Sequence, residues 1–199
     1  MVRALLAGCK TQTRRIMKQQ PTEYFCPNGV GWFHETRVDK KTGEAFPSEE
    51  KVFGAADEEE SYPCPYLVGQ KIWVRETFRD CGLDSHKKRW QYRAEEKPID
   101  RDLYPVKWTS PIFMPRKASR IMLEITAVRV ERLQEISVAD CVAEGFYSDE
   151  FKKMGICDVH LITNCPKVWY KMLWESINGH GSWGLNPWVW VIEFKTYGC

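Results

Sequence analysis

Six consecutive residues, Lys10 to Arg15, carry one amine, two hydroxyls and two guanidinium groups, directly behind Gly8 and Cys9. Two kinds of chemistry fit such a cluster. It can hold an anion, or a neutral lysine amine can take the proton of a threonine hydroxyl and turn it into a nucleophile. Desolvation and nearby positive charge both lower a lysine pKa, and Arg14 and Arg15 supply the charge. Lys10 and Thr13 are the pair for the second chemistry. Residues three apart in a straight strand point to opposite faces, so contact between them requires Lys10 to fold back from a turn. The plainer alternative is a solvated basic edge in which the threonines are strand formers, and the octet alone leaves it open.

The elements that must position this cluster follow from local pattern. Val2 to Ala7 reads as a short helix that Gly8 stops, and Thr11 to Met17 as a strand. Residues 19–68 and 79–109 are polar excursions rather than core, the first with the run Asp57-Glu58-Glu59-Glu60, the second with a short strand at residues 90–93. Between them, after Gly69, Ile72 and Val74 alternate with Lys71, Trp73 and Arg75 in a strand. Ser119 to Leu133 is the clearest strand, with Ile121, Leu123 and Ile125 on one face. A turn or bulge near Ala127 keeps Val128 and Val130 inward. Ser137 and Asp140 form a capping box for a helix that runs to Glu144 and stops at Gly145. Lys167 to Ile177 reads as an amphipathic helix with Val168, Met172 and Trp169 inward, and Trp188 to Phe194 as a buried closing strand. The sum is an α+β chain of 199 residues in one domain, a small, partly open β-barrel with short helices at its ends and two long polar insertions.

Composition narrows the function. A net charge of +2 argues against a broad basic surface for duplex nucleic acid but leaves room for a small basic pocket. Nine tryptophans serve packing first and base stacking second. There is no bilayer-length apolar run and no signal-peptide core, so a cytoplasmic protein without a membrane partner is expected, its eight cysteines reduced. No Cys-x-x-Cys pair occurs. The nearest approach to a metal cluster is Cys157, His160 and Cys165 at irregular spacing, and neither a metal nor another cofactor is expected.

Gly8-x-Lys10-x-x-Thr13-x-Arg15 resembles the G-x-K-x-x-T-x-R signature of ASCH domains, a branch of the PUA-like β-barrel superfamily. Gly69 to Val74 is similar to that family's G-D-x-L-x-V strand, with Gln70 in place of Asp, and residues 190–194 to its last strand. Residues 73–77, 114–120 and 186–190 resemble phage and prophage members. Relatives carry an apolar strand before the first helix, so the resemblance implies a barrel short of one edge strand. It also implies an amidohydrolase that removes the acyl group from N4-acetylcytidine, with Lys10, Thr13 and Glu144 catalytic and Arg15 a substrate or oxyanion contact. Glu144 ends its helix facing the negative end of the dipole, which favours the protonated form that a general acid needs. Trp73 is the candidate for stacking on the base. Glu76 either lines the same pocket or pairs with Arg75, and Arg116 with Arg120 either extends a phosphate rim or forms a solvated edge. His180 and Trp183 lie in a Gly-rich loop that is either a lid or a plain connection. The partner expected is a small-molecule nucleoside. An RNA-binding module or ribonuclease, and a non-catalytic phage morphogenetic factor, are the other functions the resemblance allows.

Overall fold

The computed structural model describes residues 1–21, 30–38, 45–56, 61–82, 90–95, 107–146 and 166–197. Cys157, His160 and Cys165 lie outside the described residues, as does the acidic run 57–60. The architecture is mixed α+β, built on a four-stranded antiparallel sheet that curls into half a barrel. Its order is β1 (Gln12–Ile16), β9 (Trp188–Thr196), β8 (Met122–Arg132) and β5 (Lys71–Trp73), which makes β1 and β5 the two edges. The β8 bulge falls where the pattern put it, with the register slipping between Ile125 and Ala127. Val128 and Val130 thereby stay packed against the same core as Ile125.

Strand β9 is buried on both faces from Trp188 to Ile192, so it carries two cores at once. Trp188, Trp190 and Ile192 meet Met17 and Ile125 on the concave side, and Val189 and Val191 meet the helices on the other. Each of these large side chains contributes about 1.5–3 kcal/mol by burial, enough to fix the register of both neighbours. Among the described residues three α-helices flank the sheet: α1 (Val2–Leu6), α2 (Val138–Ala143) and α3 (Pro166–Asn178). Leu5 of α1 packs with Ile121, Leu123 and Phe194. The capping box at the start of α2 is formed: the Asp140 N–H donates to the Ser137 hydroxyl, and the Ser137 N–H to the Asp140 carboxylate.

Two expectations are corrected. The 19–68 segment is not outside the core. Its strands β2 (Val30–Val38), β3 (Ala45–Ala56) and β4 (Ser61–Pro63) form a second antiparallel sheet, and Phe53, Ala55, Tyr62 and Cys64 join Trp188 and Trp190 in the main core. Polar flanks concealed a short alternating stretch that long-range pairing buries. The inward face of α3 is also displaced. Trp169, Tyr170 and Trp174 are buried, whereas Val168 and Met172 are exposed, because the larger aromatic stripe wins the core. The short strand of the second excursion is present: β7 (Trp90–Tyr92) pairs with β6 (Phe78–Asp80). Among the described residues no helix is long and apolar enough to cross a membrane.

Candidate functional site at the edge of the sheet

Gly8 adopts φ +70°, a left-handed conformation that costs glycine little. The chain there turns back on α1, and the N–H groups of Cys9 and Lys10 both donate to the Ala4 carbonyl. Lys10 then makes an antiparallel bridge to Glu144, and the Thr11 N–H donates to the Ala143 carbonyl. The turn after α1 is thus stitched to the C-terminal end of α2. Gly145, at φ +99°, lets the chain leave that junction, and a Cβ there would sit 3.1 Å from the Cβ of Ala4.

This junction buries an ion pair. Lys10 is 4% exposed and Glu144 5%. The Lys10 ammonium donates to the Glu144 carboxylate at 2.7 Å and to the Glu144 carbonyl at 2.8 Å, so one side chain neutralises the acid and caps an orphan carbonyl at the helix end. Burial lowers the Lys10 pKa. Glu144 opposes that shift, whereas the positive charges of Arg15 and Arg14 add to it. Two cations crowd Glu144 at the helix end: besides Lys10, an Arg14 nitrogen stands 3.5 Å from its second oxygen.

Arg14, read from sequence as plain strand, is the centre of the site. Its side chain is fully buried, and one terminal nitrogen lies 2.9 Å from Glu131 and 3.2 Å from Asp140. Tyr170 places its ring 5.8 Å from the guanidinium and its hydroxyl 3.5 Å from Glu144. Burial raises the Tyr170 pKa, and the Glu144 charge raises it further, so the phenol stays protonated. Asp140 is pushed up by burial, but its bonds from Ser137 and the charge of Arg14 outweigh that and hold it at about 2. The signal for Arg14 was strand parity: Lys10, Gln12 and Arg14 recur at every second position and all three are buried.

Thr13 and Arg15 have the opposite parity and share the concave face with their register partners Ile192 and Trp190. Among the described residues Thr13 makes no hydrogen bond to Lys10, so the expected fold-back contact is not formed, because Glu144 occupies the amine. Thr13 and Glu144 do border one small cleft of about 60 Å³, together with Arg14, Arg15 and Tyr170. A larger cavity of about 450 Å³ shares Arg15 and Ile16 with it and continues along Lys18, Tyr62, Tyr66 and Trp190.

Family models, curated proteins and solved structures yield no match to this chain. The remaining expected substrate residues sit elsewhere. Trp73 belongs to β5, the far edge in strand order from β1, and packs beside the Phe78 and Met114 cluster. The guanidinium groups of Arg75 and Arg116 lie 4.8 Å and 5.7 Å from its ring. Among the described residues Glu76 does not pair with Arg75, and it lines neither of the two cavities described at β1. It is 2% exposed and takes a two-pronged bond from Arg120, at 2.9 Å and 3.0 Å. Its N–H donates to the Met114 sulfur at 3.2 Å. Trp183 is pinned on Tyr170 with ring centres 6.2 Å apart, and its carbonyl accepts a bond from Gln134. Among the described residues no group of three His, Cys, Asp or Glu could hold a metal ion.

Proposed function

We propose that the protein is an amidohydrolase that removes the acyl group from N4-acylated cytidine, and that its half-barrel is of the PUA-like, ASCH kind. One observation carries the reading. A buried lysine with a lowered pKa is hydrogen-bonded to a buried glutamate at the rim of a cleft that a threonine also lines. The ion pair and its neutral tautomer, an amine beside a carboxylic acid, differ only in which atom holds the shared proton. The tautomer contains both a base and an acid.

In the reaction the Lys10 amine turns from Glu144 and takes the proton of the Thr13 hydroxyl, whose oxygen attacks the acyl carbon. Arg15, free of ion pairs among the described residues, holds the substrate from the cleft wall. As the C–N bond breaks, protonated Glu144 gives its proton to the departing exocyclic amine. Water then attacks the Thr13 ester and loses a proton to Glu144. The Lys10 ammonium returns its proton to the Thr13 oxygen as the acid leaves, and the starting state is restored. The aromatic group for the base is sought in the 450 Å³ cavity, where Trp190 and Tyr66 stand, rather than at Trp73.

The test is to incubate the protein with N4-acetylcytidine and with a short RNA and to follow both by chromatography. Cytidine release that disappears in Thr13→Ala, Lys10→Ala and Glu144→Ala is expected. Full activity in Thr13→Ala refutes the nucleophile, RNA cleavage moves the assignment to a ribonuclease, and inertness towards both points to a non-catalytic assembly role.

A further inference from the structure

The 450 Å³ cavity has the size of a small-molecule site and a lining that mixes aromatic and cationic groups. Trp190 and Tyr62 form a buried aromatic wall, and Tyr66 is half exposed. Arg15, the register partner of Trp190, and Lys18 are both exposed, and among the described residues the lining includes no carboxylate. Neither cation has a hydrogen bond or ion pair among the described residues. By contrast, Arg75, Arg116, Arg120 and Arg129 are each held by a protein acceptor. Two unpaired cations beside an aromatic wall fit a ligand that joins a flat ring to an anionic group. The cavity meets the Thr13 cleft at Arg15 and Ile16.

We infer that this cavity binds a pyrimidine nucleoside monophosphate, with the phosphate on Arg15 and Lys18 and the ring on the aromatic side. The ligand class, an anionic nucleotide rather than a neutral nucleoside, rests on the amidohydrolase reading for its pyrimidine. The phosphate site rests on the two cations alone. A mononucleotide is favoured over RNA because the cavity is the size of one small ligand and the chain's net charge of +2 provides no extended track for a backbone.

Calorimetric titration of the full chain with cytidine 5′-monophosphate, cytidine and a short cytidine-rich RNA tests this. The monophosphate should bind about tenfold or more tightly than cytidine, and the preference should shrink between roughly 50 and 200 mM salt. Arg15→Gln and Lys18→Gln should each lower monophosphate affinity several-fold with the melting temperature unchanged, since both side chains are exposed, and Lys18→Gln should leave cytidine affinity as it is. Equal affinity for cytidine and its monophosphate, no binding of either, or an unaltered preference in Lys18→Gln overturns the inference. Affinity that climbs with RNA length overturns it in favour of a polynucleotide. A phosphate preference without any deacylation refutes the amidohydrolase alone, and deacylation without the preference refutes the phosphate site alone.

Discussion

Breaking the buried pair from its two ends should not cost the same. Lys10→Met leaves Glu144 with an Arg14 nitrogen at 3.5 Å and the Tyr170 hydroxyl at 3.5 Å, so the carboxylate keeps a counter-charge and a donor. Glu144→Gln leaves the Lys10 ammonium with only neutral oxygens of residue 144 and the repulsion of Arg14 and Arg15. Removal of one partner from a buried ion pair costs about 3–5 kcal/mol. The glutamate change belongs at the top of that range, and the lysine change about 1–2 kcal/mol below it, because Arg14 substitutes in part. The double variant removes the stranded charge and should cost less than the sum by about 1.5 kcal/mol or more.

Urea titration of the four proteins measures these terms, and pH supplies a check on their origin. The folded Lys10 pKa lies below 10.5, so across the interval between them the unfolded chain binds more protons and stability rises with pH. The contribution is greatest above 10.5 and is lost as pH falls through the folded pKa. Glu144→Gln removes the negative charge that raises that pKa, which widens the interval downward. Its deficit against the parent should therefore narrow as the solution is made alkaline. A lysine variant as destabilised as the glutamine variant, strict additivity, or a deficit indifferent to pH would each refute this reasoning.

Asp140 provides the acid-side counterpart. With its pKa held at about 2 against 3.8, its contribution is present above 3.8 and is lost as pH falls towards 2. Solvent at its rim reduces the full linkage value to about 1–2 kcal/mol, and an acid titration of Asp140→Asn should show a shallower loss than the parent. Gly54→Ala should cost about 2–4 kcal/mol in urea, because the new Cβ would stand 2.2 Å from the Tyr62 carbonyl oxygen and force β3 from β4. Glu76→Gln should destabilise by about 2–3 kcal/mol through Arg120 and leave the KM for N4-acetylcytidine unchanged; a raised KM would return Glu76 to the substrate.

Local signals carried most of the fold. The Ser137–Asp140 box, the Gly8 and Gly145 stops and the β8 slip near Ala127 are each determined by neighbours within a few residues, and each stands where the pattern put it. Two features depended on distant partners. Phe53 and Ala55 flank a glycine within a polar segment, and only their pairing with residues 62–64 and contact with Trp190 make them core. Arg14 looked like a surface strand residue because arginine is rarely buried whole. Its anions come from residues 131, 140 and 144, more than a hundred positions away, and nothing near residue 14 announces them. Trp73 and Glu76 were grouped with the site because they lie in a matching motif, but strand order separates β5 from β1 by two strands.

The location of β1 at an edge resolves the parity problem that the Lys10–Thr13 pair posed. Within the interior of a sheet, side chains of odd and even number are divided by the backbone layer and by the next strand, and no cleft can take in both. At an unpaired edge the layer ends. Lys10 and Arg14 lie on the helix-covered face and Thr13 and Arg15 on the concave face, yet the cleft beside β1 is bordered by Thr13, Arg14, Arg15 and Glu144 together. A strand added to that edge would close the cleft and separate the threonine from the buried pair. Among the described residues that edge carries no further strand, so in the proposed chemistry the lysine swings around it rather than crossing the sheet.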